Sequence, residues 1–452
     1  MRALWVLMLA ATAWGQTPTA SVVGRIEDPS RGSLPGVKIQ IRNKNTGEPR
    51  EAVTETDGEF AVTNLAPGLY ELFAERQGFK RIHEAEFELQ VDQTARFDFQ
   101  MTVGDVSQSV EVTSEVPLLN TENASRGEVV VTQEIMEMPL EGRDFNDLTF
   151  MVPGVARKAQ GGSGSALNIN GARSDNTNFL IDGFANNNVR GGGAQARPPI
   201  DALQEYKLQT NGYPAEYGRR AGGVMSMVLK SGTNQFHGTL FEFLRDDVFD
   251  ARNFFDAEKS QLRRNQFGGT LHGPLMLPRL YNGRNRTFFL GSWESYRQTQ
   301  GVNRLGRVPT ELERAGDFSQ TPETAGTGKI VSLKDPLGNA ALPGNLIPAS
   351  RVHAVSRNVL PFYPAPNLPA QVNNFRANRA DTDHWDSFLG KIDHRLTAKD
   401  NLSGRYMRRN NNQGNPFGGS DTGLFGNRTP ETLSLGGVTW TRLWSPALIH
   451  EL

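Results

Sequence analysis

The chain has 452 residues, with 48 lysines and arginines against 49 aspartates and glutamates, a net charge of -1, and no cysteine. The missing cysteines exclude disulfides and thiolate metal sites, and the charge balance leaves no global basic surface for nucleic acid. With 47 glycines and 25 prolines, the composition suits a β-protein with many turns better than a helical enzyme.

Residues 1–16, MRALWVLMLAATAWGQ, combine one arginine, a short apolar run and small residues at Ala13 and Gly15. This is the pattern of an export signal with cleavage near Gly15–Gln16, and the apolar run is too short to span a bilayer. No cysteine follows to accept a lipid. No later stretch reaches the roughly 20 apolar residues of a spanning helix. An exported chain of this kind is either soluble or an outer-membrane barrel, whose alternating strands hide from hydropathy.

Residues 18–103 form the first unit. Val22–Ile26 and Val37–Ile41 alternate at period two. Asp57-Gly58 is expected to join Glu51–Thr56 to Glu59–Thr63 as a hairpin, and Pro67-Gly68 turns into Leu69–Ala74. Short, evenly spaced strands predict a small β-sandwich. The order of turns, through Leu34-Pro35-Gly36-Val37, Thr56-Asp57-Gly58-Glu59-Phe60 and Ala66-Pro67-Gly68-Leu69-Tyr70 to Gly78-Phe79, resembles the carboxypeptidase-regulatory-like family. That resemblance implies a transthyretin-like, carbohydrate-binding-like sandwich and says little about a ligand.

Residues 104–120 are a polar linker carrying one β-prone run, Ser109-Val110-Glu111-Val112-Thr113-Ser114. Residues 121–232 follow as strand, loop, strand and tight turn. Their marks are Gly142-Arg143-Asp144-Phe145, Val152-Pro153-Gly154-Val155, Asn168-Ile169-Asn170-Gly171 and Leu180-Ile181-Asp182-Gly183. Asp182-Gly183 suits a turn that needs positive φ. The glycine runs near Gly161 and Gly191 open no predicted helix and precede no Lys-Ser/Thr pair, so a phosphate cradle is not supported.

The most informative segment begins at Asp201. An alternating strand, Glu205–Gln209, leads to a glycine-rich turn over Tyr217, Gly218, Gly222 and Gly223. A second strand, Val224–Leu229, then passes through Ser231–Asn234 into His237–Phe243. This resembles the end of the plug and the first barrel strand of a TonB-dependent outer-membrane receptor, and is similar to the Oar-like receptors with an N-terminal carboxypeptidase-regulatory-like domain. The resemblance implies plug-motif roles for Arg143, Asp144, Phe145, Asp182, Gly183, Tyr217, Gly218, Gly222 and Gly223. It also implies a TonB box just before the plug. Val110, Glu111, Val112 and Thr113 are the candidates, pairing edge to edge with a strand of TonB. The other reading of this run is a last strand of the sandwich.

From Asn234 onward the sequence reads as barrel. Thr239–Arg245, Gln266–His272, Thr287–Tyr296, Asp386–Leu396, Leu402–Arg409 and Leu433–Arg442 alternate over the length of tilted membrane strands. In Asp386–Leu396, Phe388, Ile392 and Leu396 share the face expected toward lipid. Lys391, Asp393 and Arg395 share the face expected toward the lumen. Residues 297–384 do not alternate and are expected to be a long, structureless extracellular loop. A plugged barrel of roughly 22 strands needs more chain than 234–452 provides, so the barrel is expected to continue past Leu452.

The fold expected is therefore mainly β: a small sandwich, an α+β plug, and an incomplete antiparallel transmembrane β-barrel. No catalytic, cofactor or metal site is expected. His83 and Glu86 have H-x-x-E spacing, but the next histidine, His237, falls in another unit. The function implied is TonB-energised uptake of a large substrate such as an oligosaccharide, a peptide or a metal chelate. The alternative is a non-transporting adhesin or carbohydrate-binding surface protein. Asn186, Asn187 and Asn188 on the plug and Tyr363 in the loop are the candidate substrate contacts. The partners implied are TonB, outer-membrane lipid and an extracellular substrate, in the outer membrane of a Gram-negative bacterium with the N-terminal domain periplasmic.

Overall fold

The computed structural model describes residues 19–107, 109–112, 125–138, 140–157, 167–188, 193–214, 217, 220–252, 254, 259–323, 328–445 and 448–452. The expected signal segment lies outside these residues, as does Thr113.

The sandwich comprises β1 (Ala20–Glu27), β2 (Lys38–Asn43), β3 (Pro49–Val53), β4 (Glu59–Leu65), β5 (Gly68–Glu75), β6 (Arg81–Leu89), β7 (Thr94–Arg96), β8 (Phe99–Gln100) and β9 (Ser109–Val112). One sheet runs β3-β2-β5-β6-β9, and the other is built on β1 with β4, β7 and β8. Alternation does what the sequence predicts: Val22, Ile26, Ile39, Ile41, Leu72 and Phe87 point between the sheets and are buried. The expected Asp57-Gly58 hairpin is not one. β3 pairs with β2 and β4 with β1, so this turn crosses from one sheet to the other. Gly58 sits at φ +80, where a Cβ would lie 2.6 Å from the Ile26 carbonyl oxygen, so only glycine lets the crossover press against β1.

The plug contains β10 (Arg126–Val131), β11 (Val155–Arg157), β12 (Leu167–Ile169), β13 (Thr177–Ile181), β14 (Phe184–Ala185), β15 (Leu203–Asn211) and β16 (Gly223–Leu229). Its main sheet runs β10-β15-β16-β13-β14, with β13 and β16 parallel. Helical turns at Thr132–Glu137 and Asn146–Thr149 complete the α+β unit. β13 and β16 are buried along their whole length. The sheet packs both against the barrel residues Leu290, Leu389 and Met407 and against the plug's own Ile135, Phe145 and Leu167, so burial on both faces replaces the in–out alternation of a surface strand.

The barrel part is a meander of β17 (His237–Asp246), β18 (Leu262–Pro274), β21 (Thr287–Gly306), β22 (Phe375–Arg395), β23 (Asp400–Asn415), β24 (Asn427–Ser445) and β25 (Leu448–Glu451), with a small hairpin β19 (Met276–Leu277) and β20 (Tyr281–Asn282) between β18 and β21. Among the described residues this seven-stranded antiparallel sheet does not close, and β17 and β25 are its edges. The predicted parity holds. Phe388 and Ile392 are each 50 % exposed on the outer face, while Lys391 and Ser387 are buried against the plug. Leu290, Leu389 and Met407 project inward and join the plug's own core around Phe179, Tyr206 and Met227.

Two expectations about residues 297–384 are corrected. β21 continues to Gly306 and β22 begins at Phe375, so the loop is 307–374. Strands of 20 and 21 residues exceed the about 9–11 needed to cross the hydrocarbon core. Beyond that length lipid no longer selects the outer face; at the far end Phe375 and Ala377 are instead buried in a small apolar cluster with Val308 and Phe417. Nor is the loop structureless. Thr310 and Glu313 form a capping box. Arg314 donates to the carbonyls of Leu360, Tyr363 and Pro364, tying the start of the loop to its return. A bidentate Asp335–Arg351 pair closes its middle.

Candidate functional site

The plug is seated by a buried ion cluster. Asp182 and Gly183 form the β13–β14 turn with φ of +44 and +83, as the Asp-Gly pair predicts. The turn presents Asp182 to the wall. Its Oδ2 lies 3.2 Å from Lys391 Nζ on β22 and 3.2 Å from Arg405 Nη1 on β23. Its Oδ1 accepts from the Leu229 amide at 2.9 Å. Arg405 also lies over the Phe184 ring at 3.9 Å. One carboxylate thus meets two barrel cations and one plug amide while only 4 % exposed.

The other plug-motif residues are equally structural. Arg143, at φ +52, pairs with buried Asp201 and lies 4.2 Å over the Phe241 ring of β17. Asp144 accepts from the Asn146 amide at 3.0 Å and pairs with Arg197 at 2.7 Å. Phe145 is in the plug core. Gly222 donates its amide to the Asn176 carbonyl at 2.9 Å. A Cβ on Gly223, at φ +147, would lie 2.7 Å from Ile169 Cδ1. Tyr217 donates to Asp92 of the sandwich at 2.9 Å, and Gly218 lies outside the described residues.

On the side of the plug away from the sandwich, a chamber of about 720 Å³ opens between plug and wall. Arg143, Asp144 and Arg197 line it from the plug, and Arg264, Glu294, Tyr296, Asp383, Trp385 and Arg409 line it from the barrel. Tyr296 and Trp385 stack at 5.3 Å and 6°, and the Arg409 guanidinium lies 4.0 Å over Trp385. The β21–β22 register sets Tyr296 directly opposite Trp385. Flat aromatic faces beside arginines and carboxylates form a surface able to stack a ring and to bind anionic or hydroxyl groups on it.

Sequence reasoning singled out Arg143 and Asp144, as plug-motif positions, and none of the other chamber residues. Their only local signal is the lumen-facing parity that Tyr296 shares with Glu294, and Trp385 with Lys391. Two of the three asparagines it did single out, Asn186 and Asn187, have their side chains committed within the plug, and Asn188 is held there by its backbone. Asn186 exchanges two bonds with Ala196, Nδ2 to the carbonyl at 2.8 Å and Oδ1 from the amide at 2.7 Å. Asn187 donates to the Thr177 carbonyl at 2.8 Å, and the Asn188 amide donates to the Gly193 carbonyl at 3.0 Å. Tyr363 is in the loop, where its carbonyl accepts from Arg314. His83 stacks on Phe73 at 4.5 Å, and Glu86 pairs with Lys44. Among the described residues no group of three or more His, Cys, Asp or Glu residues could hold a metal ion.

Of the TonB-box candidates, Val110, Glu111 and Val112 lie in β9. This strand pairs in parallel with β6 from Arg81↔Ser109 to Glu84↔Val112, at the edge of the sandwich sheet. The backbone is extended there, and its pairing with β6 is that of a last strand of the sandwich, the other reading of this run.

A sheet with an apolar outer face, a plug seated in its polar lumen and a sandwich beneath defines an outer-membrane receptor barrel. Residues 21–102 match the carboxypeptidase regulatory-like domain family, 120–225 the TonB-dependent receptor plug domain and 228–452 an outer-membrane β-barrel domain. The chain belongs to the TonB-dependent receptors of the outer membrane. It is 26 % identical over 347 residues to the TonB-dependent transporter Oar of Myxococcus xanthus, a match covering 72 % of this chain and 31 % of that protein. It is 28 % identical over 178 residues to the ferrienterobactin receptor of Escherichia coli, covering 35 % and 22 %. Among solved structures it is similar to a point mutant of the ferric enterobactin receptor of Pseudomonas aeruginosa, at 18 % identity and a TM-score of 0.41, covering 72 % of this chain and 40 % of that one. The chain thus spans about a third or less of the length of these curated relatives.

Proposed function

We propose that the receptor imports a large substrate, of the oligosaccharide, peptide or metal-chelate class, with energy delivered by TonB through the linker. The observation that carries this reading is the pair of features on opposite sides of the plug. One is the aromatic and arginine-lined chamber on the side of the long loop. The other is the extended segment Val110–Val112 on the side of the sandwich. An adhesin needs neither a seated plug nor a pulling segment. The similarity to the M. xanthus transporter supports the same class, and the siderophore receptors among the relatives favour a chelate as the first substrate to try.

The test is Val112→Pro in the receptor expressed from its own gene. Proline removes the backbone donor that strand addition to TonB requires. Crosslinking to TonB and uptake should both be lost while the barrel still assembles. Crosslinking at the wild-type level would place the coupling segment elsewhere and favour the surface-adhesin reading.

A further inference from the structure

One face of plug strand β15 contradicts its sequence. Glu205, Lys207 and Gln209 alternate with Tyr206 and Leu208 and read as a wet face, yet they are 4 %, 6 % and 1 % exposed. Glu205 and Lys207 are covered by the sandwich. The turn between β6 and β7, residues 90–93, reaches up to the plug with Val91 fully buried. The Val91 amide donates to Glu205 Oε1 at 2.6 Å. Lys207 Nζ donates to the carbonyls of Val91 and Asp92, each at 3.2 Å. Tyr217, from the glycine-rich turn after β15, donates to the Asp92 carboxylate. Asp92 stands at φ +52, and the turn is closed by the Gln93 amide on the Gln90 carbonyl.

A second set of contacts ties the sandwich to the barrel rim. The Asn234 amide donates to the Asn45 carbonyl at 2.9 Å, and Asn401 donates to Glu48 at 3.2 Å. A cavity of about 250 Å³ lies at the seam of sandwich, plug and barrel, and Asp182, Lys391 and Arg405 line its inner wall. The ion cluster that seats the plug is therefore directly behind the sandwich.

We propose that the sandwich is a periplasmic latch on the plug: while Val91 and Asp92 hold β15, the plug is kept in its seat, and the latch opens before the plug is released. The chemistry suits a reversible catch. In the contact with β15 one apolar side chain, Val91, is inserted, and the fixing groups are hydrogen bonds and charges that water can replace. Small polar interfaces of this kind between domains of one chain open readily. Burial pushes the Glu205 carboxyl up to about 8, with Glu88 and Asp92 adding to the rise and Val91 and Lys207 opposing it. Burial also lowers the Lys207 ammonium below its ordinary range. Both groups would regain ordinary hydration on opening. The proposal goes beyond the importer reading and shares with it only the premise that the plug moves.

These 452 residues contain no cysteine, so the test is built on introduced ones. Asn45→Cys with Asn234→Cys locks sandwich to barrel by a disulfide, and Ser226→Cys on β16, a position only 1 % exposed, reports plug opening. Maleimide labelling of the reporter is followed in outer-membrane vesicles in sub-denaturing urea. Labelling should be at least tenfold slower in the oxidised lock than after reduction, and at least tenfold faster in Lys207→Ala. Asp92→Gly, which suits the same φ and loses the carboxylate, should accelerate it without touching the plug. If Lys207→Ala fails to assemble, the lock and Asp92→Gly decide the matter. Failure of the lock disulfide to form in assembled receptor overturns the proposal, as do equal labelling rates in locked, reduced and Asp92→Gly protein. The assay uses neither TonB nor substrate, so its failure is distinct from loss of the TonB adduct, which tests the importer reading.

Discussion

Replacing Asp182 by asparagine removes one charge and almost nothing else. Asparagine tolerates positive φ well, and its side-chain oxygen can still accept from the Leu229 amide. What is lost is the anion 3.2 Å from both Lys391 Nζ and Arg405 Nη1. Lys391 then keeps the Leu229 carbonyl at 3.3 Å and, as its nearest anion, Asp393 at 4.0 Å. Removing one partner from a buried ion cluster costs about 3–5 kcal/mol, because the remaining charges stay desolvated. At 1.4 kcal/mol per decade that is a rise of roughly 10²–10³-fold or more in the open fraction of the plug. Asp182→Ala should cost a further ~1–3 kcal/mol, since the Leu229 amide is then buried without an acceptor. Pulse proteolysis of the plug across a urea titration measures both, with heat-modifiability on gels as the control for an assembled barrel. A cost below about 1 kcal/mol for Asp182→Asn, the range of an exposed pair, would refute the claim that this cluster seats the plug.

Gly223→Ala, which forces a Cβ to 2.7 Å from Ile169 Cδ1 at a left-handed φ, should destabilise the plug by roughly 1–3 kcal/mol, read in the same titration. The docked state holds the Glu205 proton up to about pH 8, whereas the undocked carboxyl releases it near its ordinary value of 4.5. Docking should therefore weaken as pH rises from about 4.5 to 8 and level off above that. Yields of the Asn45–Asn234 cysteine lock, trapped at equilibrium across that range, test the sign. Ile392→Lys on the lipid face should cost about 2–4 kcal/mol in barrel stability near the midplane, while a lysine at Ser434, near the rim of the same face, should cost less. N-terminal sequencing of receptor from outer membranes should find a mature start at or near Gln16, and retained Met1 in a cytoplasmic fraction would exclude export.

The parts of this fold legible in the sequence are those set by neighbours along the chain. Asp182-Gly183 announces its turn because positive φ is a local demand. Phe388, Lys391, Ile392 and Asp393 announce a barrel strand because lipid and lumen select opposite faces of adjacent residues. The far ends of β21 and β22 are not readable because their apolar positions, Phe375 and Ala377, are covered by Val308 and Phe417, which lie far away along the chain or in the loop. Asp57-Gly58 misled because a turn fixes where the chain bends and not which strand lies beside it. The chamber was invisible for a related reason. Tyr296 meets Trp385 only through an 89-residue separation closed by strand register. Asn186 and Asn187 looked like ligand contacts, since nothing local shows that Ala196 and Thr177 already hold them. Glu205 and Lys207 looked solvated because their cover is Val91 and Asp92, from another domain.

Energised import through a seated plug is tested most directly by uptake in two strains. A panel of radiolabelled ferric chelates, oligosaccharides and peptides is offered to cells expressing the receptor, with and without TonB. The account predicts that at least one compound accumulates inside cells carrying TonB, and that accumulation stops when TonB or the proton gradient is removed while surface binding persists. Surface binding that never proceeds to accumulation and is indifferent to TonB would contradict it.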